Sequence, residues 1–118
     1  MMPVFKFAEN LLGNEVNNNI MAGSKFEFLP RNGVVRVYAA QDPPVGAENV
    51  NIDFTLGNVV IGDDLPCNFV SADALGPNRN TDLLATGVAA AGDRIQIRAQ
   101  ETGGVTQDYR VLVEINEL

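Results

Sequence analysis

The residues of this chain that could carry chemistry are aspartates in turn-rich segments: Asp63, Asp64, Asp73, Asp82 and Asp93. Carboxylate oxygens are preferred calcium ligands, so these side chains would form a calcium site if the fold gathered them at one end. The sequence lacks the usual calcium loop, in which Asp or Asn at alternate positions is followed by a closing Glu. We therefore interpret the five as solvated turn residues and predict no metal site.

Nucleophilic catalysis is limited by the complete absence of histidine. The single cysteine, Cys67, has no histidine to activate it, and free cysteines are usually buried, so we predict that it packs as a small apolar side chain. Ser24 and Ser71 lack the context of a nucleophile elbow, and "ETGGVTQ" lacks the lysine of a phosphate-binding loop. We predict that the chain is not an enzyme and uses no cofactor.

Charge and hydropathy exclude further classes of function. The 118 residues include 8 basic and 15 acidic ones, a net charge of −7, and Lys6 is the one basic residue among the first 24. Nucleic-acid binders usually carry basic clusters, so direct contact with nucleic acid is not expected. The sequence has no run of eighteen apolar residues and no signal-peptide pattern at its start, so we expect no membrane span.

Alternating apolar and polar residues predict strands with one buried face. The pattern is clearest in Val50–Leu56, and it recurs in Ile95–Ala99 and in Tyr109–Ile115. Because Thr-Gly-Gly lies between the last two segments, we predict that they form an antiparallel hairpin. Tyr109 falls on the inward face of this hairpin, whereas Leu112 falls on the outward face, which indicates that the outward face is partly covered.

Shorter strands are predicted along the rest of the chain. Asn32-Gly33 lies between two alternating segments, Lys25–Pro30 and Val34–Ala39, and predicts a type I′ hairpin turn because both residues tolerate positive φ. The remaining candidate strands are Val4–Phe7, Val59–Ile61, Cys67–Val70 and a short strand or turn within Leu83–Asp93, while Gly62–Pro66, Gln41–Asn49 and Ser71–Asn80 are predicted as turns or loops.

About eight short strands with turn signals roughly every ten residues predict an all-β fold, a two-sheet antiparallel sandwich. A jelly roll or related Greek key is our first choice, and an immunoglobulin-like sandwich is the second, since the chain lacks a cysteine pair and tryptophan. We predict an N-terminal arm or first strands over 1–23 and a β-sandwich domain over 24–118. Val16–Met21 is either a strand or part of the arm, and Ala8–Leu12 is a possible short helix.

Two segments, "LLATGVAAAGDRIQIRAQETGG" at 83–104 and "MAGSKFEFLP" at 21–30, resemble small structural proteins of bacterial viruses, including uncultivated marine ones. The resemblance implies a β-sandwich capsid or capsid-associated subunit that assembles with copies of itself or with other virion proteins. It implies a location in the virion, assembled in the host cytoplasm. It carries over no catalytic residues.

We expect assembly to use the N-terminal segment, which could add a strand to the exposed sheet edge of a neighbour. The alternative is a receptor- or glycan-binding module that uses the loops Gln41–Asn49 and Ser71–Asn80. The apolar residues predicted to form the assembly interface are Val4, Phe5, Phe7, Leu11, Leu12, Val16, Ile20 and Leu112.

Overall fold

The computed structural model describes residues 4–41, 50–69, 77, 82–104 and 106–118, and these ranges are all β, without a helix. The predicted two-sheet sandwich is confirmed. Its connections do not establish the jelly-roll type, which stays a prediction. The strands are β1 Val4–Leu11, β2 Val16–Asn17, β3 Gly33–Gln41, β4 Val50–Leu56, β5 Val59–Pro66, β6 Asn68–Phe69, β7 Leu83–Ala89, β8 Ile95–Glu101 and β9 Gln107–Glu117.

The strands form two sheets that share one core. In the front sheet β9 lies between β1 and β3, and the other side of β3 pairs with β7 and then with β6. The back sheet has the order β2-β8-β4-β5. Among the described strands every pairing is antiparallel except the short one between β3 and β6.

The inward faces are those that the alternation predicts. Each wholly buried aliphatic or aromatic side chain contributes about 1.5–3 kcal/mol to folding, so matched alternation on both sheets supplies most of the stability. Cys67 is buried, as predicted. The core side chains of the four central strands are Val35, Val37 and Ala39 of β3, Val50, Ile52, Phe54 and Leu56 of β4, Ile95, Ile97 and Ala99 of β8, and Tyr109, Val111, Val113 and Ile115 of β9.

The predicted hairpin of the last two strands is wrong. β8 pairs with β4 in the back sheet, whereas β9 pairs with β1 and β3 in the front sheet. The glycine-rich segment, with Gly104 at a φ of 74°, therefore crosses from one sheet to the other. Period-two alternation reports a buried face and not a pairing partner, and two strands on opposite sides of a core show the same alternation as two paired strands.

The predicted hairpin at Asn32-Gly33 is also wrong. Neither residue has positive φ, and Lys25–Pro30 is irregular apart from a bridge between Phe28 and Arg94. Gly33 begins β3, where a Cβ atom would lie 2.9 Å from the carbonyl oxygen of Asn116. The glycine is needed for close approach to β9 and not for a turn.

Several boundaries differ from the predictions. β1 continues to Leu11, so the possible helix over 8–12 is absent, and β2 ends at Asn17. β5 runs through the predicted turn at 62–66, with register shifts against β4 that accommodate the extra residues. The predicted loops Gln41–Asn49 and Ser71–Asn80 lie outside the described residues except for Gln41, which ends β3, and Pro77.

Candidate functional site

Three aspartates meet on the outer face of the back sheet. Carboxylate oxygens of Asp53, Asp63 and Asp64 lie within 4.8 Å of one another. Asp53 accepts a hydrogen bond from the Asp64 backbone N–H at 2.7 Å, and it pairs with the Arg98 guanidinium at 3.1 Å. The register shifts of β5 place the two later aspartates beside Asp53, and Asp64 takes a φ of 52°. The cluster therefore lies at a bulge of β5, and the Arg98 guanidinium supplies a positive charge beside it.

The protonation of this cluster is uneven. Partial burial favours a higher pKa for Asp53, but the Asp64 N–H and Arg98 outweigh it and lower the pKa of that carboxyl below its usual value. The hydrogen bond to Asp53, together with the charges of Asp64 and Asp53, raises the pKa of Asp63. Asp63 is therefore the group of this pair that takes up a proton first.

The structure assembles only part of the predicted aspartate group. Asp82 is buried elsewhere, and Asp93 accepts a hydrogen bond from the Ala90 N–H at 3.0 Å, as a turn residue would. Asp73 lies outside the described residues. Asp53 and Arg98 are not among the predicted residues; they occupy polar positions of β4 and β8. Their adjacency follows from strand pairing, which the alternation does not encode.

At one end of the sandwich the interior is polar. Tyr109 donates its hydroxyl hydrogen to Glu9 at 2.8 Å, and Asn17 donates to both oxygens of the same carboxylate at 3.2 Å. Glu101 is wholly buried and accepts the backbone N–H groups of Asn14 at 3.1 Å and Gly103 at 2.8 Å. Hydrogen bonds of this kind offset the cost of burying the carboxylates, so the group closes this end of the core.

Three of the four flanks of the sandwich, those outside β8, β5 and β7, are covered or irregular, and the pairings of β5 and β7 both carry register shifts. Outside β8 lie β2 and then the irregular segment 18–29, which follows the strand with hydrogen bonds from Ile20 N to Ile97 O and from Ile95 N to Glu27 O. On the opposite side β5 and β7 pack together, since a Cβ on Gly87 of β7 would lie 3.1 Å from the side chain of Ile61 of β5. β5 also carries bulges and adjacent acidic residues, which are features that discourage pairing of an edge.

The fourth flank is the open edge, by which we mean the side of β1 that faces away from β9. β1 pairs with β9 over all eight residues without a register shift, from Val4 opposite Glu114 to Leu11 opposite Gln107. Across the ranges that the structure describes, no other strand pairs with β1. A regular, unpaired strand of this length is a template for another chain.

The backbone groups at the open edge can be assigned. Leu118 donates its N–H to the carbonyl of Asn32, so the pairs between β3 and β9 that exchange hydrogen bonds involve even-numbered residues of β9. The odd-numbered residues of β9 therefore bond to β1. It follows from the register that Phe5, Phe7, Glu9 and Leu11 bond to β9, while Val4, Lys6, Ala8 and Asn10 direct their backbone groups toward the open edge.

The predicted interface residues fall into three groups. Leu11, Ile20 and Leu112 are buried within the chain, the last beside Pro77 and Lys6 at a cavity of about 320 Å³. Leu12 is 59% exposed just after β1. Val4, Phe5, Phe7 and Val16 are half-buried, and the first three belong to the edge strand. Their role in assembly stays a prediction.

Comparison with protein-family models finds no match to the chain, and neither does comparison with curated proteins. The viral resemblance therefore stays a prediction. Among the described residues there is no helix long and apolar enough to cross a membrane.

Proposed function

We propose that the chain is a structural subunit of a bacterial virus, a capsid or capsid-decorating protein that assembles with copies of itself or with neighbouring shell proteins in the virion. The observation that carries the proposal is the open edge of β1, a regular eight-residue strand beside three flanks that are covered or irregular. Unpaired edges promote association, and soluble proteins usually obstruct them. An edge strand that has no pairing partner among the described residues suits a protein whose function is association.

The charge and the clustered groups fit this role. A net charge of −7 is unfavourable for direct contact with a packaged genome, so the chain suits an outer shell or a decoration. The half-buried carboxylate of Glu9 and the buried carboxylates of Glu101 and Glu114 each accept a hydrogen bond from this chain, so these groups have a structural role. The resemblance of the segments at 21–30 and 83–104 supplies the viral part of the proposal.

The size of the purified chain in solution tests the proposal. Light scattering coupled to size-exclusion chromatography, followed by electron microscopy, should find regular oligomers or closed particles whose fraction rises with protein concentration. A chain that stays a monomer at all concentrations and binds sugars on a glycan array would overturn the proposal in favour of the glycan-binding alternative.

A further inference from the structure

We propose that two copies of this chain join their β1 strands antiparallel across a two-fold axis, with Phe7 of one copy opposite Phe7 of the other. The inference rests on the proposed function and specifies its contact. It would join the two front sheets into one continuous sheet. A two-fold contact uses the same surface of both subunits, so one exposed strand is sufficient to form it.

The backbone restricts the possible registers. An axis perpendicular to the front sheet keeps both inner faces on the same side, so each residue of β1 meets a residue from the same face of the partner strand. Lys6, Ala8 and Asn10 direct their N–H and C=O groups toward the open edge. They must therefore meet one another, and the axis passes through Lys6, Phe7 or Ala8 when most of the strand is paired.

The side chains select the axis at Phe7. An axis at Lys6 places two ammonium groups directly opposite each other, which is destabilising, and pairs fewer residues. An axis at Ala8 pairs as many residues of β1 as an axis at Phe7, but it places no aromatic ring opposite another, with Phe7 opposite Glu9. The axis at Phe7 places Lys6 opposite Ala8 and pairs the two Phe7 rings, and aromatic pairs are favourable across strands.

The half-buried aromatic rings at this edge favour a second copy as the occupant. Phe5 and Phe7 stack with ring centroids 6.3 Å apart, and Phe7 also lies 6.2 Å from Tyr109. The partner's Phe7 would extend this row and remove more of its surface from water. Lys6 is exposed, so the diagonal approach of the two ammonium groups takes place in solvent, where salt screens it.

Disulfide trapping tests the register. Paired residues that do not exchange hydrogen bonds have Cα atoms about 4.5 Å apart, within the range that a disulfide spans. Phe7→Cys should therefore form a covalent dimer on oxidation. Phe5→Cys is the matched control, because the two copies of residue 5 would lie roughly 13 Å apart along the strands. Cys67 is wholly buried and should contribute no background.

A proline at the open edge tests the contact itself. Ala8→Pro removes an N–H that does not bond to β9, a position at which an edge strand accepts proline. We expect this variant to lose the dimer, whereas Ala8→Thr, which keeps the N–H, should assemble like the native chain. Circular dichroism should show that both variants are folded. If Ala8→Pro does not fold, the comparison of Phe7→Cys with Phe5→Cys tests the contact instead.

The outcomes separate the two proposals. An assembling native chain whose Ala8→Pro variant assembles equally well, or whose Phe5→Cys variant crosslinks in place of Phe7→Cys, would overturn the β1 contact and leave the structural role standing. A native chain that never leaves the monomeric state would overturn both.

Discussion

Tyr109 donates its hydroxyl hydrogen to Glu9 across 2.8 Å, and this bond joins a central strand of the front sheet to its edge strand. Burial raises the pKa of Tyr109, and the hydrogen bond to Glu9 raises it further, so the hydroxyl stays protonated as a donor. The hydrogen bond between Tyr109 and Glu9 thus holds β1 in place on its inner face, in addition to the backbone hydrogen bonds between β1 and β9.

Removing the Tyr109 hydroxyl should lower the stability of the protein. Tyr109→Phe leaves the Glu9 carboxylate with one donor fewer in a part-buried site, so the free energy of unfolding should fall by about 1–3 kcal/mol. Urea denaturation measures the loss. The matched control is Asn10→Ala, which deletes an exposed hydrogen bond to Asp108 in the same strand pair and should change stability by less than about 0.5 kcal/mol. Equal effects of the two substitutions would contradict the role given to Tyr109.

The glycine that begins β3 should not tolerate a side chain. In Gly33→Ala the new methyl group would meet the Asn116 carbonyl oxygen at 2.9 Å, and backbone atoms cannot move aside as a side chain can. We expect a loss of about 1–3 kcal/mol by urea denaturation, as for other overpacked sites. Ala substitution of the neighbouring half-buried Val34 is the control. A neutral Gly33→Ala would show that β3 and β9 are not in such close contact.

Replacing Asp63 by Asn should stabilise the protein at neutral pH. Because the pKa of Asp63 is raised on folding, its ionised form is disfavoured in the folded state, and that disadvantage is complete above the raised pKa. It disappears as the pH falls below the ordinary value of 3.8, where Asp63 is protonated in both states. The stability gained by Asp63→Asn should therefore be present at pH 7 and vanish in acid.

Denaturation curves at several pH values measure this gain. Glu117→Gln is the control, since that carboxylate makes a long, exposed ion pair with Arg31 at 3.8 Å. A gain for Asp63→Asn that persists unchanged in acid would contradict the charge-based account.

The thiol of Cys67 should be inert in the folded protein. Its side chain is wholly buried, so a thiol reagent should label it only at the rate at which the sandwich opens. Labelling followed by mass spectrometry should be slow in buffer and rapid in denaturant. Rapid labelling in buffer would place Cys67 at the surface.

The sequence predicts the faces of this sandwich better than its pairings. The alternation in Val50–Leu56 and Ile95–Ala99 places each side chain on the correct face, because burial acts on one side chain at a time. The partner of each strand depends on contacts between distant residues, which is why the hairpin predicted for the last two strands is wrong.

The same limit applies to the candidate sites. Asp63 and Asp64 are conspicuous in the sequence, but Asp53 and Arg98 join them only through the pairing of β4 with β5 and β8. The open edge is likewise invisible in the alternation of β1, because an edge strand with one buried face reads like a central strand with one buried face. It is recognised only when the strand order is known.

Residue-resolved amide hydrogen exchange of β1 tests the central claim most directly. In dilute monomer the amides of Phe7 and Glu9, which bond to β9, should be protected, while those of Lys6, Ala8 and Asn10 should exchange rapidly. After assembly the second group should become protected as well, because each amide gains a carbonyl partner across the two-fold axis. Rapid exchange at Lys6, Ala8 and Asn10 in the assembled protein would contradict the account.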